Sequence, residues 1–202
     1  QGLGVGVVTL VYTQHNRLGD GCMESTDHGL TAFGRSVVLE MNSVGMTVDL
    51  SHTGERTSLE AAACSRAPVV FSHSCARAIT DHPRNLSDEQ IRAVAATGGV
   101  IGLCPHSQFC EKERGVRPTL SDFLDHLVYV ADLVGVDHVG IGTDLFGGKT
   151  LGEAVFRFQF GSLVPGAWGG YGIDEKYVAG FDTVYHWPNV TRGLVARGFD
   201  DQ

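Results

Sequence analysis

No run of apolar residues in this 202-residue chain approaches the roughly 18–20 that a membrane-spanning helix needs. No signal-peptide pattern is visible either. Basic charge is scarce: 15 Lys and Arg stand against 23 Asp and Glu, for a net charge of −8. The densest basic stretch, Glu111-Lys112-Glu113-Arg114, is balanced by its own acids, so the footprint of a phosphate backbone is missing and no nucleic-acid partner is expected. The five cysteines (Cys22, Cys64, Cys75, Cys104, Cys110) are odd in number and show no CxxC spacing, which favours reduced thiols over a disulfide framework. Cys64 and Cys104 sit in apolar stretches, where a free thiol behaves as a small hydrophobe. That usage tilts the location towards the cytoplasm. Both glycine fingerprints of nucleotide sites are absent too: Gly140-Ile141-Gly142 is only GxG, and no GxxxxGK[ST] occurs.

What remains is an ordinary globular composition, 43% hydrophobic, with enough apolar surface for one substantial core. Five short apolar runs recur: Val5–Leu10, Met46–Leu50, Pro68–Phe71, Gly99–Leu103 and His138–Gly142. Valine- and isoleucine-rich runs without alternation read as strands buried on both faces. Amphipathic segments lie between them. Phe33, Val37, Val38 and Met41 form one stripe that ends near Gly45. Ser87 and Gln90 make a capping box for a helix that stops at Gly98-Gly99. Thr119 caps a third, with Phe123, Leu124, Leu127 and Val130 on one face and Gly135 after it. Strand–helix alternation of this kind predicts an α/β protein with a parallel sheet.

The strands share chemistry at their C-terminal ends. Met46–Leu50 runs into Ser51-His52, Pro68–Phe71 into Ser72-His73, and His138–Gly142 into Thr143-Asp144. A (β/α)8 barrel builds its active site at such ends. Two imidazoles and a carboxylate on rigid strand ends can form part of a divalent-metal shell, and neutral imidazole suits zinc. A single histidine at a strand end is more often structural. Two in equivalent positions, 21 residues apart, bring the ligand reading level with that one. Spacing alone leaves both open. Arg84, just before a capped helix, reads by itself as a solvated surface residue, and His15, His28, His82 and His186 as exposed loop histidines.

The stretches "GMTVDLSHTGERT", "APVVFSHSCARAITDHPRNLSDEQIRAVAATGGVIGL" and "VGVDHVGIGTDLFGG" resemble the membrane (renal-type) dipeptidase family of zinc metallopeptidases. The likeness runs from "VVTLVYTQHNRLGDGC" to "VAGFDTVYHWPNVTRGLVARGF". It implies a binuclear-zinc TIM barrel of the amidohydrolase-like group that hydrolyses dipeptides. His52 and His73 match the two histidines that bind one of the zincs. Asp144 matches the aspartate at the last barrel strand that handles the proton, and Arg84 the arginine that binds the substrate carboxylate. Where better-known members have a substrate-contacting histidine, this chain has Tyr12, whose hydroxyl can donate a hydrogen bond but is far less basic. Substrate choice turns on that position.

The resemblance also implies parts that this sequence does not show. The family's first strand carries a His-x-Asp pair and its third a glutamate bridging both metals, and no His-x-Asp precedes Val5. Residues 1–202 are therefore read as one partial barrel domain, strands four to eight, without the N-terminal strands and the final helix. Such a piece is expected to bind at most one zinc, through His52 and His73. It is also expected to expose the apolar sides of its first two strands. Beside dipeptide hydrolysis stand two rival readings: hydrolysis of another small amide or lactam, and a non-catalytic truncated barrel acting as a binding or structural module. A small dipeptide is the expected partner, and a homodimer a candidate assembly. Family members include both lipid-anchored secreted and cytosolic proteins.

Overall fold

The structure, a computed structural model, describes residues 3–145 and 171–200. Five strands form one parallel sheet in chain order: β1 (Val7–Thr9), β2 (Thr47–Asp49), β3 (Val69–Ser74), β4 (Ile101–Leu103) and β5 (Val139–Ile141). Four of the apolar runs read from the sequence each contain one of them, and β3 starts within Pro68–Phe71 but continues past it to Ser74. Helices α1 (Ala32–Ser43), α2 (Glu55–Cys64), α3 (Asp88–Ala96), α4 (Ser107–Cys110) and α5 (Leu120–Val134) connect successive strands, and α6 (Trp187–Val195) packs on α5. A doubly wound sheet reverses its strand order at a switch point. Here the order never reverses. The sheet is singly wound, as in part of a (β/α)8 barrel.

Local chemistry sets the helix ends. The Thr31 hydroxyl accepts from the Gly34 N–H at 2.9 Å to open α1, and Gly45 takes a φ of 71° after it. Ser87 and Gln90 form the anticipated reciprocal box at α3. At α5 the Asp122 carboxylate accepts from both the Thr119 N–H and its hydroxyl, each at 2.8 Å. Phe123, Leu124, Leu127 and Val130 are all buried, as their spacing requires. The α1 stripe is narrower than expected: Val38 and Met41 are buried, but Phe33 is exposed under the Arg17 guanidinium.

The first two strands differ. Val7 and Val8 of β1 are exposed, as anticipated for an edge. Val48 and Leu50 are fully buried, because β2 pairs with a strand on each side and carries α1 on one face. The expected exposure holds for β1 and not for β2.

One irregularity shapes the site. Between β3 and β4, Phe71 faces Ile101 and Ser74 faces Leu103, so three steps along β3 match two along β4. The extra residue is a bulge at Ser72-His73, the kind of kink that re-aims side chains beside functional sites. Gly102 and Gly142 make room for it. A Cβ at either would lie 2.3 or 1.7 Å from the Ser72 carbonyl oxygen.

Candidate active site

Asp49 is the hub of the strand ends. Its carboxylate is buried and accepts four hydrogen bonds: from the Thr9 hydroxyl (2.7 Å), the Ser72 hydroxyl (2.6 Å), and, at 2.9 Å each, the Ser51 and Ser72 N–H groups. Burial pushes its pKa up, but the four donors outweigh that cost and hold the carboxyl below the usual carboxylate range.

 Beside this carboxylate, the Leu50 N–H donates to the Val70 carbonyl at 2.8 Å and ties the end of β2 to β3.

This knot sets the state of His73. The Ser72 hydroxyl spends its one proton on Asp49, so it can only accept from His73 Nδ1, 2.8 Å away. The proton of the neutral ring therefore sits on Nδ1, and Nε2 keeps a bare lone pair. The Ser51 hydroxyl, 3.0 Å from the His73 N–H, holds the backbone of the same residue.

His52 reaches the same point from β2. Its φ is 70°, and Asp144 at the end of β5 has a φ of 48°. They are the non-glycine residues in the left-handed region among the described residues, and both lie at strand ends. Nε2 of His52 lies 2.9 Å from Nε2 of His73, while its buried Nδ1 has no hydrogen-bond partner among the described residues. The Tyr12 ring stacks on it with centroids 4.1 Å apart. Burial, and next the Arg84 charge, push the pKa of both imidazoles down, so both are neutral at pH 7.

Neutral, converging ring nitrogens fit a metal. Two nitrogens about 2.05 Å from a tetrahedral zinc lie roughly 3.3 Å apart. The observed separation is a few tenths of an ångström shorter, a gap that a small rotation of either ring closes.

Arg84 is buried, not solvated as its loop position alone suggested. Nη2 donates to the His73 carbonyl at 3.0 Å and Nη1 to the Ser74 hydroxyl at 3.4 Å, and the guanidinium lies 5.3 Å over the Phe109 ring. No carboxylate pairs with it among the described residues. A buried cation without a counter-ion is costly, and it attracts an anion. Asp144 is exposed; burial lowers the pKa of His73 and Lys176 and raises that of Tyr12, and the Asp144 charge partly opposes the first two shifts and adds to the third. Its carbonyl accepts from the Tyr177 hydroxyl. Tyr177 and Lys176 arrive on a returning segment tied down by Ser107 N–H to Lys176 O (2.8 Å) and Val178 N–H to Pro105 O (2.9 Å). Burial lowers the Lys176 pKa to about 8, against the pull of Asp144.

Sequence reading missed Asp49, Ser72, Ser51, Lys176 and Tyr177. Only Asp49 left a signal: a carboxylate inside the apolar run "TVDL" conflicts with a buried strand unless it is fully bonded. Of the remaining histidines, His15 and His28 are exposed, whereas His82 is half-buried against Phe109. All five cysteines are free thiols. Cys75, Cys110 and His126 cluster in the core, but both thiols point at the Cys104 carbonyl and His126 Nδ1 accepts from the Ala76 N–H. Their polar atoms are already satisfied. At the opposite end of the strands, a depression of about 320 Å³ lined by Met46, Pro68 and Val100 carries no titratable group.

The model of the membrane dipeptidase family (peptidase family M19) matches residues 1–155. The chain belongs to this family. Membership implies a metal. An uncharacterized dipeptidase of Schizosaccharomyces pombe is 37% identical over 149 residues, which span 72% of this chain and 36% of that protein. Dipeptidase tcpJ of Claviceps purpurea is 31% identical over 202 residues, 99% of this chain and 41% of that protein. The chain thus spans about two fifths of the length of these curated relatives. Among solved structures, an amidohydrolase from Pseudomonas aeruginosa matches with a TM-score of 0.83 and 36% identity, over 98% of this chain and 60% of that one. A metallo peptidase from Rhodobacter sphaeroides, liganded with a phosphinate mimic of the dipeptide L-Ala-D-Ala, matches with a TM-score of 0.78 and 27% identity, over 99% of this chain and 52% of that one. No helix among the described residues is long and apolar enough to cross a membrane.

Proposed function

We propose that the protein is a zinc-dependent dipeptide hydrolase, to which residues 1–202 contribute one partial barrel domain holding two ligands of a zinc and the substrate-carboxylate site. The observation that carries this reading is the convergence of two neutral imidazoles, Nε2 to Nε2 at 2.9 Å, beside a buried guanidinium with no carboxylate partner among the described residues. His52 and His73 offer their lone pairs to one zinc. When bound, zinc supplies Lewis-acid polarisation of the scissile amide. Arg84 takes the free carboxylate of the dipeptide through its planar fork. Asp144 accepts a proton from the attacking water and passes it to the leaving amine. Tyr12 presents its hydroxyl towards the substrate. The five free thiols fit a reducing, cytoplasmic setting.

A non-catalytic module accounts for less. Two left-handed non-glycine residues and an uncompensated buried guanidinium each carry a cost, about 1–3 kcal/mol for each strained backbone position. A purely structural role leaves those costs without an offset. The test is hydrolysis of a dipeptide panel, L-Ala-D-Ala included, by the full-length protein before and after chelation. Turnover that is lost with the metal, restored by zinc and abolished by His73→Ala supports the reading. Normal turnover in the chelated protein contradicts it.

A further inference from the structure

The two imidazoles are held by different devices. A histidine ligand is ordinarily oriented by a hydrogen bond at its second ring nitrogen. His73 has one, to Ser72, which is anchored in turn on Asp49. His52 does not: its Nδ1 is buried and without a hydrogen-bond partner among the described residues. Its ring rests instead on the Tyr12 ring, 4.1 Å away between centroids and tilted by 25°. The same stretch of chain also fixes the His52 backbone, since the Cys22 N–H donates to the His52 carbonyl at 2.8 Å and Gly21 bridges to Thr53. The Tyr12 hydroxyl takes no part, because none of the hydrogen bonds among the described residues involves it. What Tyr12 supplies to His52 is an aromatic face.

We infer that Tyr12 is a positioning residue for His52, its ring keeping Nε2 aimed at the point where Nε2 of His73 also converges. This deepens the zinc-site reading above and rests on it. The role belongs to the ring alone, so it survives removal of the hydroxyl and fails with removal of the ring.

The test compares wild type, Tyr12→Phe and Tyr12→Ala in the full-length protein, by two readouts. The first is zinc affinity, measured by competition with a chromophoric chelator. Tyr12→Phe is expected within about twofold of wild type and Tyr12→Ala weaker by about tenfold, the low end of what loss of an orienting partner costs. The second is the ring 15N spectrum of His52 in the metal-free protein, expected sharp in wild type and Tyr12→Phe and broadened in Tyr12→Ala. Zinc affinity and His52 spectra unchanged in Tyr12→Ala overturn the inference, as does a loss in Tyr12→Phe as large as in Tyr12→Ala. If wild type binds no zinc, the zinc-site reading fails, and the metal-free spectra still decide whether Tyr12 orders the ring.

Discussion

His52 and His73 stand 21 residues apart on neighbouring strands, yet their Nε2 atoms lie 2.9 Å from each other. Two features bring them together: a left-handed turn at His52 and the bulge that adds one residue to β3 at Ser72-His73. The bulge puts Ser72 on the buried Asp49 and His73 on the site from consecutive positions, which a regular strand, alternating its faces, does not do.

Asp49 acts on the metal site through Ser72. Asp49→Asn and Ser72→Ala are each expected to lower zinc affinity by about 10–100-fold, the usual range for losing a group that orients a metal-binding histidine. Competition titration of the full-length variants checks this. Equal affinity in both would mean that the Asp49–Ser72–His73 chain does not set the ligand state.

Arg84 tests the carboxylate site. Arg84→Lys keeps the charge but loses the planar fork, and a roughly tenfold rise in KM for dipeptides is expected. Wild type should prefer a free C-terminal carboxylate over its amide, and Arg84→Ala should lose that preference. Steady-state kinetics on matched acid and amide substrates measure both effects.

Gly142→Ala is expected to destabilise the protein by about 2 kcal/mol or more, because the new Cβ would lie 1.7 Å from the Ser72 carbonyl oxygen and something must shift. Urea unfolding gives the change. The same variant should weaken zinc binding, since the atom displaced belongs to the bulge that carries His73.

Acid should unfold the protein through buried neutral histidines. Burial holds the His126 pKa down to about 4 in the folded state, against an unfolded value near 6.5. Below about pH 6.5 the unfolded chain takes up a proton that the native one refuses, so stability falls as pH drops towards 4, by about 3 kcal/mol in total for this group. Asp49 adds a loss at lower pH: its folded pKa is depressed, so its stabilisation is complete above the unfolded value and disappears as pH falls through the folded one. Thermal melts from pH 7 to pH 4 should show the first loss, and His126→Asn should flatten it.

How much of this was legible in the sequence follows from the range of each signal. The strands and the caps at Ser87 and Thr119 are local patterns, and the structure places them where periodicity and capping chemistry put them. The histidines at strand ends were visible as residues, but their convergence depends on the β3 bulge, a relation between two strands that neither run reveals alone. Arg84 sits in a polar loop, "DHPRN", that looks solvated until the fold closes over it with Phe109. Phe33 shows the opposite error: it fits a helical stripe but faces outwards, since α1 buries only its Val38–Met41 side deeply.

The most direct test of the zinc site is anomalous diffraction at the zinc edge from crystals of the zinc-loaded, full-length protein. The account predicts a zinc within about 2.0–2.1 Å of Nε2 of both His52 and His73. A fully occupied zinc elsewhere, with these two nitrogens still bonded to each other, would contradict it.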